Sequence, residues 1–203
     1  RCSQNVVINT DSMFGGIFME ASQAPNMVDS NVIWGSTANG VYQHDCDFLT
    51  VAHNLICHAR ATGIRMQVCK GRIVYGREST ATKCRVLNNI LVGNGQPLSI
   101  SDPDNSCDGN LIVAEPPFDL AAWQAQTGWD AHSAVTDLQV DFDPATRRLS
   151  LHHSEPLPCV APVAEGTHDL LDAPMNPARV LPGPFAEEPS YPAQLLEGAP
   201  PVP

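Results

Sequence analysis

The chain has 203 residues, a formal net charge of −11 and only 16% charged residues. The length fits one domain, with or without an appendage. So acidic a balance argues against nucleic acid or an anionic membrane surface as partner, since both need a basic patch, and no stretch approaches the roughly 20 apolar residues of a membrane span.

Arg1-Cys2-Ser3-Gln4 runs directly into Asn5-Val6-Val7-Ile8-Asn9, which reads as a strand. No leader is visible, so we expect the chain to begin inside a fold, as a C-terminal portion contiguous with further N-terminal coils. An export signal would then lie upstream.

A repeat follows. Asn31-Val32-Ile33-Trp34-Gly35, Asn54-Leu55-Ile56-Cys57-His58, Asn89-Ile90-Leu91-Val92-Gly93 and Asn110-Leu111-Ile112-Val113 align, with leading Asn residues 23, 35 and 21 positions apart. A second element recurs as Gly16-Ile17-Phe18-Met19-Glu20, Gly40-Val41-Tyr42-Gln43-His44 and Gly63-Ile64-Arg65-Met66-Gln67, its glycines 24 and 23 apart. The 35-residue gap is one period plus an excursion loop at 70–83. A period near 23 with short β-branched runs predicts an all-β, right-handed parallel β-helix of about four to five coils. Equivalent strands of such a solenoid stack about 4.8 Å apart, and stability comes from coil-on-coil burial. The recurrent Asn residues fit turns and a stacked amide ladder.

Strand alternation sorts the faces. Ile17 and Met19, Val41 and Gln43, Ile64 and Met66 face inward, with polar Gln43 a misfit. One outward column is Phe18, Tyr42, Arg65; the other is Glu20, His44, Gln67. Seven cysteines cannot all pair within the chain and show no zinc-like spacing. Cys46/Cys69 and Cys84/Cys107 are each 23 apart, which predicts stacked, buried free thiols.

The second half changes character. Asp119 ahead of Leu120-Ala121-Ala122-Trp123-Gln124 predicts an N-capped short helix that covers the open end of the solenoid. Leu138-Gln139-Val140-Asp141-Phe142, a turn at 143–146 and Leu149-Ser150-Leu151 predict a β-hairpin at the same C-terminal end. His152-His153 reads as strand-end surface. After Pro156 the chain is Pro- and Ala-rich, and is expected to be an extended surface segment or disordered at its end. The expected divisions are coils at 1–113, cap at 114–155 and extended segment at 156–203.

Gly15-Gly16-Ile17-Phe18-Met19-Glu20-Ala21-Ser22, Asn31-Val32-Ile33-Trp34, Gly40-Val41-Tyr42-Gln43-His44-Asp45-Cys46-Asp47, Val51-Ala52-His53-Asn54-Leu55 and Arg85-Val86-Leu87-Asn88-Asn89 resemble bacterial right-handed β-helix proteins of the pectate-lyase-like superfamily, in its glycoside-hydrolase-like branch. The resemblance covers about 6–154. It implies a secreted or periplasmic, carbohydrate-active protein with a polysaccharide or oligosaccharide partner. The superfamily hosts hydrolases, lyases and epimerases, so a fold likeness does not choose among them. In relatives the third stretch commonly reads Glu-His-Asp-Cys-Asp; here Gln43 stands in place of that Glu.

Stacked outward side chains on rigid strands can form a glycan groove. Phe18 and Tyr42 suit stacking on sugar rings, Arg65 suits a carboxylate, and Gln67 offers hydrogen bonds. A glycosidase needs two carboxylates at about 5–5.5 Å (retaining) or about 6.5–9.5 Å (inverting). Glu20 and Asp45 are the candidate catalytic pair, with His44 as modulator or acid/base and Asp47 and Asp11 as weaker candidates. A lyase would instead use His44 as base and Arg65 to neutralise a uronate. Asp45 and Asp47 are a thin oxygen supply for a hard cation, so neither metal nor cofactor is expected. Glycoside hydrolysis is the leading expectation; a non-catalytic glycan-binding or structural solenoid and a polysaccharide lyase are the alternatives.

Overall fold

The computed structural model describes residues 1–189 and 192–195; the Pro200-Pro201-Val202-Pro203 tail lies outside the described residues. Three parallel sheets run the length of a β-solenoid. The first stacks Cys2–Ser3, Asn26–Asp29, Leu49–Ala52, Arg85–Leu87 and Ser106–Asp108. The second stacks Val6–Ile8, Val32–Trp34, Leu55–Cys57, Ile90–Val92, Leu111–Val113 and Ala134–Val135. The third stacks Gly15–Glu20, Asn39–His44, Thr62–Gln67 and Gln96–Ile100. The turns number about six, slightly more than the repeat count suggested, because the last turn, Ala134–Val135, carries no leading Asn to mark it.

The interior is filled by one side chain in two from each sheet, as the pleat dictates. Val28, Val51 and Val86 from the first sheet meet Ile33, Ile56, Leu91 and Ile112 from the second and Ile17, Val41, Ile64 and Leu98 from the third. The lumen is narrow where the second sheet turns into the third. A Cβ on Gly40 would stand 2.2 Å from Ile56 Cγ2 and 2.6 Å from the Gly63 carbonyl oxygen, so close approach rather than a turn demands glycine there. The inward polar Gln43 is fully buried and satisfied: its Nε2 donates to the Cys46 carbonyl at 2.6 Å and its Oε1 accepts from Gln67 N at 3.1 Å.

The corner between the first and second sheets holds the amide ladder. The backbone N–H and Nδ2 of Asn31 both donate to Asn54 Oδ1, at 3.1 and 2.8 Å. Asn54 donates likewise to Asn89 Oδ1, and Asn89 to Asn110 Oδ1. The residue ahead of each ladder Asn is left-handed, with φ of 53° at Ser30, 54° at His53 and 58° at Asn88. Each ladder amide thus satisfies the donors that this sharp corner would leave orphaned.

The second sheet is buried on both faces. Its outward side chains Val32, Leu55, Ile90 and Leu111 pack beneath an antiparallel hairpin, Gln139–Asp143 with Arg148–His152, and beneath Leu157, Leu170 and Phe185 from the C-terminal segment. This explains why its strands read as unbroken apolar runs. The hairpin therefore covers a flank, where the sequence had suggested the end. The expected surface segment is a second hydrophobic layer, with Phe185 3% and Leu195 0% exposed.

The end is covered by the helix Leu120–Thr127. Asp119 Oδ1 accepts from Ala122 N at 2.9 Å, left-handed Gly128 closes the C-terminus, and Phe118, Trp123 and Trp129 pack on the interior core. All seven cysteines are free; Cys46, Cys57, Cys84 and Cys107 are buried, whereas Cys69 and Cys159 are exposed. The expected Cys84/Cys107 stacking does not occur. Cys107 pairs with Val86, because that turn advances 21 residues whereas the two cysteines are 23 apart.

Candidate functional site

The third sheet keeps its outer face uncovered, and its register places the sequence candidates as the alternation required. Phe18, Tyr42, Arg65 and Ser99 form one column. Glu20, His44 and Gln67 form the other. Phe14, which the sequence reading passed over, extends the aromatic run: its ring stacks on Phe18 at 4.4 Å between centroids and 11° between planes, and Phe18 lies 5.3 Å from Tyr42. The Arg65 guanidinium sits 5.4 Å from the Tyr42 ring centre, a cation–π distance. Tyr42 Oη donates to Gln67 Oε1 at 3.1 Å. The result is a half-exposed aromatic strip bordered by polar side chains.

The 70–83 insertion folds as a small antiparallel hairpin, Ile73–Val74 with Arg77–Glu78, and turns back over one edge of this face. Its Arg72 was not singled out in the sequence, and it reorganises the acidic candidates. Arg72 Nη1 donates to Glu20 Oε1 at 2.5 Å and to Asp45 Oδ2 at 2.9 Å, with His44 Nδ1 3.4 Å away. His44 Nδ1 lies 3.6 Å from Glu20 Oε1 and 3.5 Å from Asp45 Oδ2. So Glu20, His44 and Asp45 converge, but around an arginine.

The two carboxylates differ sharply in setting. Glu20 is exposed, and its hydrogen bond to Arg72 holds its carboxyl below the usual carboxylate range. The Asp45 side chain is fully buried; its Oδ1 accepts from Cys69 N at 2.6 Å and its Oδ2 from Arg72. Asp45 is itself left-handed at φ 58°, so it ends the strand and anchors the insertion. Asp47 does the same job further along. Its carboxylate accepts from Thr80 Oγ1, Thr82 N and Arg77. Asp11 receives only a hydrogen bond from Thr37 Oγ1 at 3.3 Å, away from the convergence. A cluster of acids opposite an insertion carrying Arg72 and Arg77 was the sequence signal for this clamp.

Other donors are scattered. Among the described residues no group of three or more His, Cys, Asp or Glu side chains is arranged to hold a metal ion. The buried thiols are poor ligands as they stand, because a soft metal binds the thiolate and burial raises the Cys84 thiol to about 12 and the Cys57 and Cys107 thiols as well. His53 is fully buried and its proton affinity is lowered to about 4 by desolvation, its Nε2 lying 3.2 Å from Asn88 Nδ2.

No curated protein and no solved structure matches this chain. A family model does, over residues 1–106, the stretch that holds the first four coils and the whole third sheet. The chain therefore belongs to the NosD family, a parallel β-helix family described as periplasmic copper-binding protein, which agrees with the secreted or periplasmic setting expected from the sequence.

Proposed function

We propose that this chain is a periplasmic glycan-binding β-helix whose third sheet receives a polysaccharide or oligosaccharide along the Phe14–Phe18–Tyr42 strip. The observation that carries this reading is the aromatic run itself, half-exposed on rigid strands and bordered by Gln67, His44 and Arg65. Aromatic faces stack on the apolar faces of sugar rings while the flanking side chains take the hydroxyls, and Arg65 suits an acidic sugar.

Binding without turnover is favoured over hydrolysis by Arg72. A glycosidase needs a general acid whose proton affinity is raised. Glu20 is shifted the opposite way, and Asp45 is sealed from solvent. Hydrolysis retains one supporting observation: one Arg72 nitrogen touches both carboxylates, so they are close enough for a retaining pair once the arginine leaves. Copper, named in the family description, finds no gathered donor set among the described residues, so no role is derived for it.

The test is calorimetric titration against a panel of neutral and acidic oligosaccharides, with product analysis in parallel. Binding that weakens about tenfold in Tyr42→Ala, from loss of roughly 1.4 kcal/mol of stacking and contact, with no product formed, supports the reading. Product that disappears in Glu20→Gln would establish hydrolysis instead. An unsaturated product would establish a lyase, and no binding to any glycan would refute the proposal.

A further inference from the structure

The outer face of the first sheet carries a basic hollow, in a chain whose net charge is −11. Thr50 and Arg85 are cross-strand partners on that sheet. Two residues ahead of each stand Phe48 and Lys83, both left-handed at φ 58°. These four side chains line one cavity of about 460 Å³. Arg1 lines it too, but its guanidinium is taken by Asp29 at 2.6 and 2.9 Å. The Arg85 guanidinium is held in place: Nε and Nη2 donate to Thr50 Oγ1 at 3.1 and 2.9 Å, and Nη2 also donates to Glu165 Oε1 at 2.6 Å. Among the described residues nothing accepts from Arg85 Nη1. No carboxylate among them pairs with Lys83, whose ammonium lies 5.4 Å from the Phe48 ring centre.

The rest of the wall is apolar or belongs to the C-terminal segment. Val163 packs with Met27 and Ala52 and so brings Glu165 to the rim. Among the described residues Glu165 is the one carboxylate that lines the cavity, and its side chain is 52% exposed. Phe48 is 38% exposed, and Pro25 and Met27 continue its surface. A fixed guanidinium with spare donors, an ammonium without a counter-ion and an adjoining apolar wall suit a carboxylate on an apolar body. Glu165 displays the polar half of that contact, since its own carboxylate already sits on Arg85.

We propose that this cavity is a second binding site, for a small organic carboxylate with an apolar ring or chain as its body, and that Glu165 is a tethered competitor for it. The ligand carboxylate accepts from Arg85 and from the Lys83 ammonium, and its body lies against Pro25 and the uncovered part of the Phe48 ring. Thr50 is a positioning residue: 4% exposed, it fixes the plane of the guanidinium through two hydrogen bonds. Exchange of one carboxylate for another leaves Arg85 paired throughout, so entry of the ligand strands no charge. The site is independent of the glycan reading, since it lies on a different sheet and shares no residue with the aromatic strip.

Benzoate is the probe, titrated into the isotope-labelled 203-residue chain while backbone amide shifts are followed by NMR. Saturable shifts at Thr50, Lys83 and Arg85 are expected. Methyl benzoate, which lacks the charge, and glucuronate, which carries the charge on a polar body, should both bind more weakly. Lys83→Gln should weaken benzoate about tenfold through loss of one charge-assisted hydrogen bond. Lys83 is exposed, so the fold does not depend on it. Glu165→Ala should tighten binding by at least about threefold, because the competing closed state is removed. Absence of shifts at those three amides would overturn the proposal, as would equal binding of methyl benzoate or an unchanged affinity in Lys83→Gln. Glucuronate binding as tightly as benzoate would overturn the apolar body, and a Glu165→Ala variant that binds no tighter would overturn the competitor.

Discussion

Replacing Asn54 with Ala should destabilise the solenoid by about 4 kcal/mol. Asn54 is fully buried, and its Oδ1 is the acceptor for both Asn31 N and Asn31 Nδ2. Its Nδ2 donates to Val28 O, Ala52 O and Asn89 Oδ1. After truncation Asn89 Oδ1 keeps the residue-54 backbone N–H, and Ala52 O keeps Ser30 N. The Asn31 backbone N–H and one of the two Asn31 Nδ2 hydrogens keep nothing, the other Nδ2 hydrogen staying on the Cys2 carbonyl at 3.1 Å, and no water reaches them because Asn31 is also 0% exposed. Each orphaned buried donor costs roughly 1–3 kcal/mol, which places the total at about 4 kcal/mol. Asn5→Ala is the internal control. Asn5 is exposed, and Asn31 Oδ1 would keep the residue-5 backbone N–H, so its loss should cost less than about 1 kcal/mol. Urea unfolding followed by far-UV circular dichroism compares the two variants. Equal losses, or a loss below about 1 kcal/mol for Asn54→Ala, would show that the ladder marks the corner without holding it.

Gly40→Ala should cost about 3 kcal/mol or prevent folding, since its Cβ would meet backbone at Gly63 as well as Ile56; the thermal midpoint reads this out. Phe185→Ala should cost about 3–5 kcal/mol and make the C-terminal segment the first site of limited proteolysis, because Phe185 is 3% exposed within the outer core. His53 should make the fold acid-sensitive. Its folded value of about 4 lies below the unfolded 6.5, so the unfolded chain binds the extra proton between them. Stability is then full above about pH 6.5 and falls towards pH 4 by up to about 3 kcal/mol. Chemical denaturation across that range should show a slope that flattens in His53→Gln. Arg72→Gln should raise the proton affinity of the Glu20 carboxyl, measured by NMR titration, because the hydrogen bond that lowers it is removed.

The sequence by itself determined the coil. Short strands at a fixed interval carry their own evidence: the alternation of Ile17-Phe18-Met19-Glu20 sets inside from outside, and a repeated Asn has one place where its amide can be reused turn after turn. Those are local constraints, copied coil to coil, so the outward columns and even inward Gln43 could be read before any coordinates. The position of the hairpin and the C-terminal segment could not. Their target is the doubly buried second sheet, and an apolar run such as Ile90-Leu91-Val92 does not say what covers its outer side. The state of the acidic candidates was equally hidden. Arg72 reaches Glu20 across 52 residues of sequence and Asp45 across 27. Whether two carboxylates on neighbouring coils act as an acid pair or as the two arms of a clamp depends on a contact that no period encodes. Only the folded insertion reveals that contact, by placing the Arg72 guanidinium between the two carboxylates.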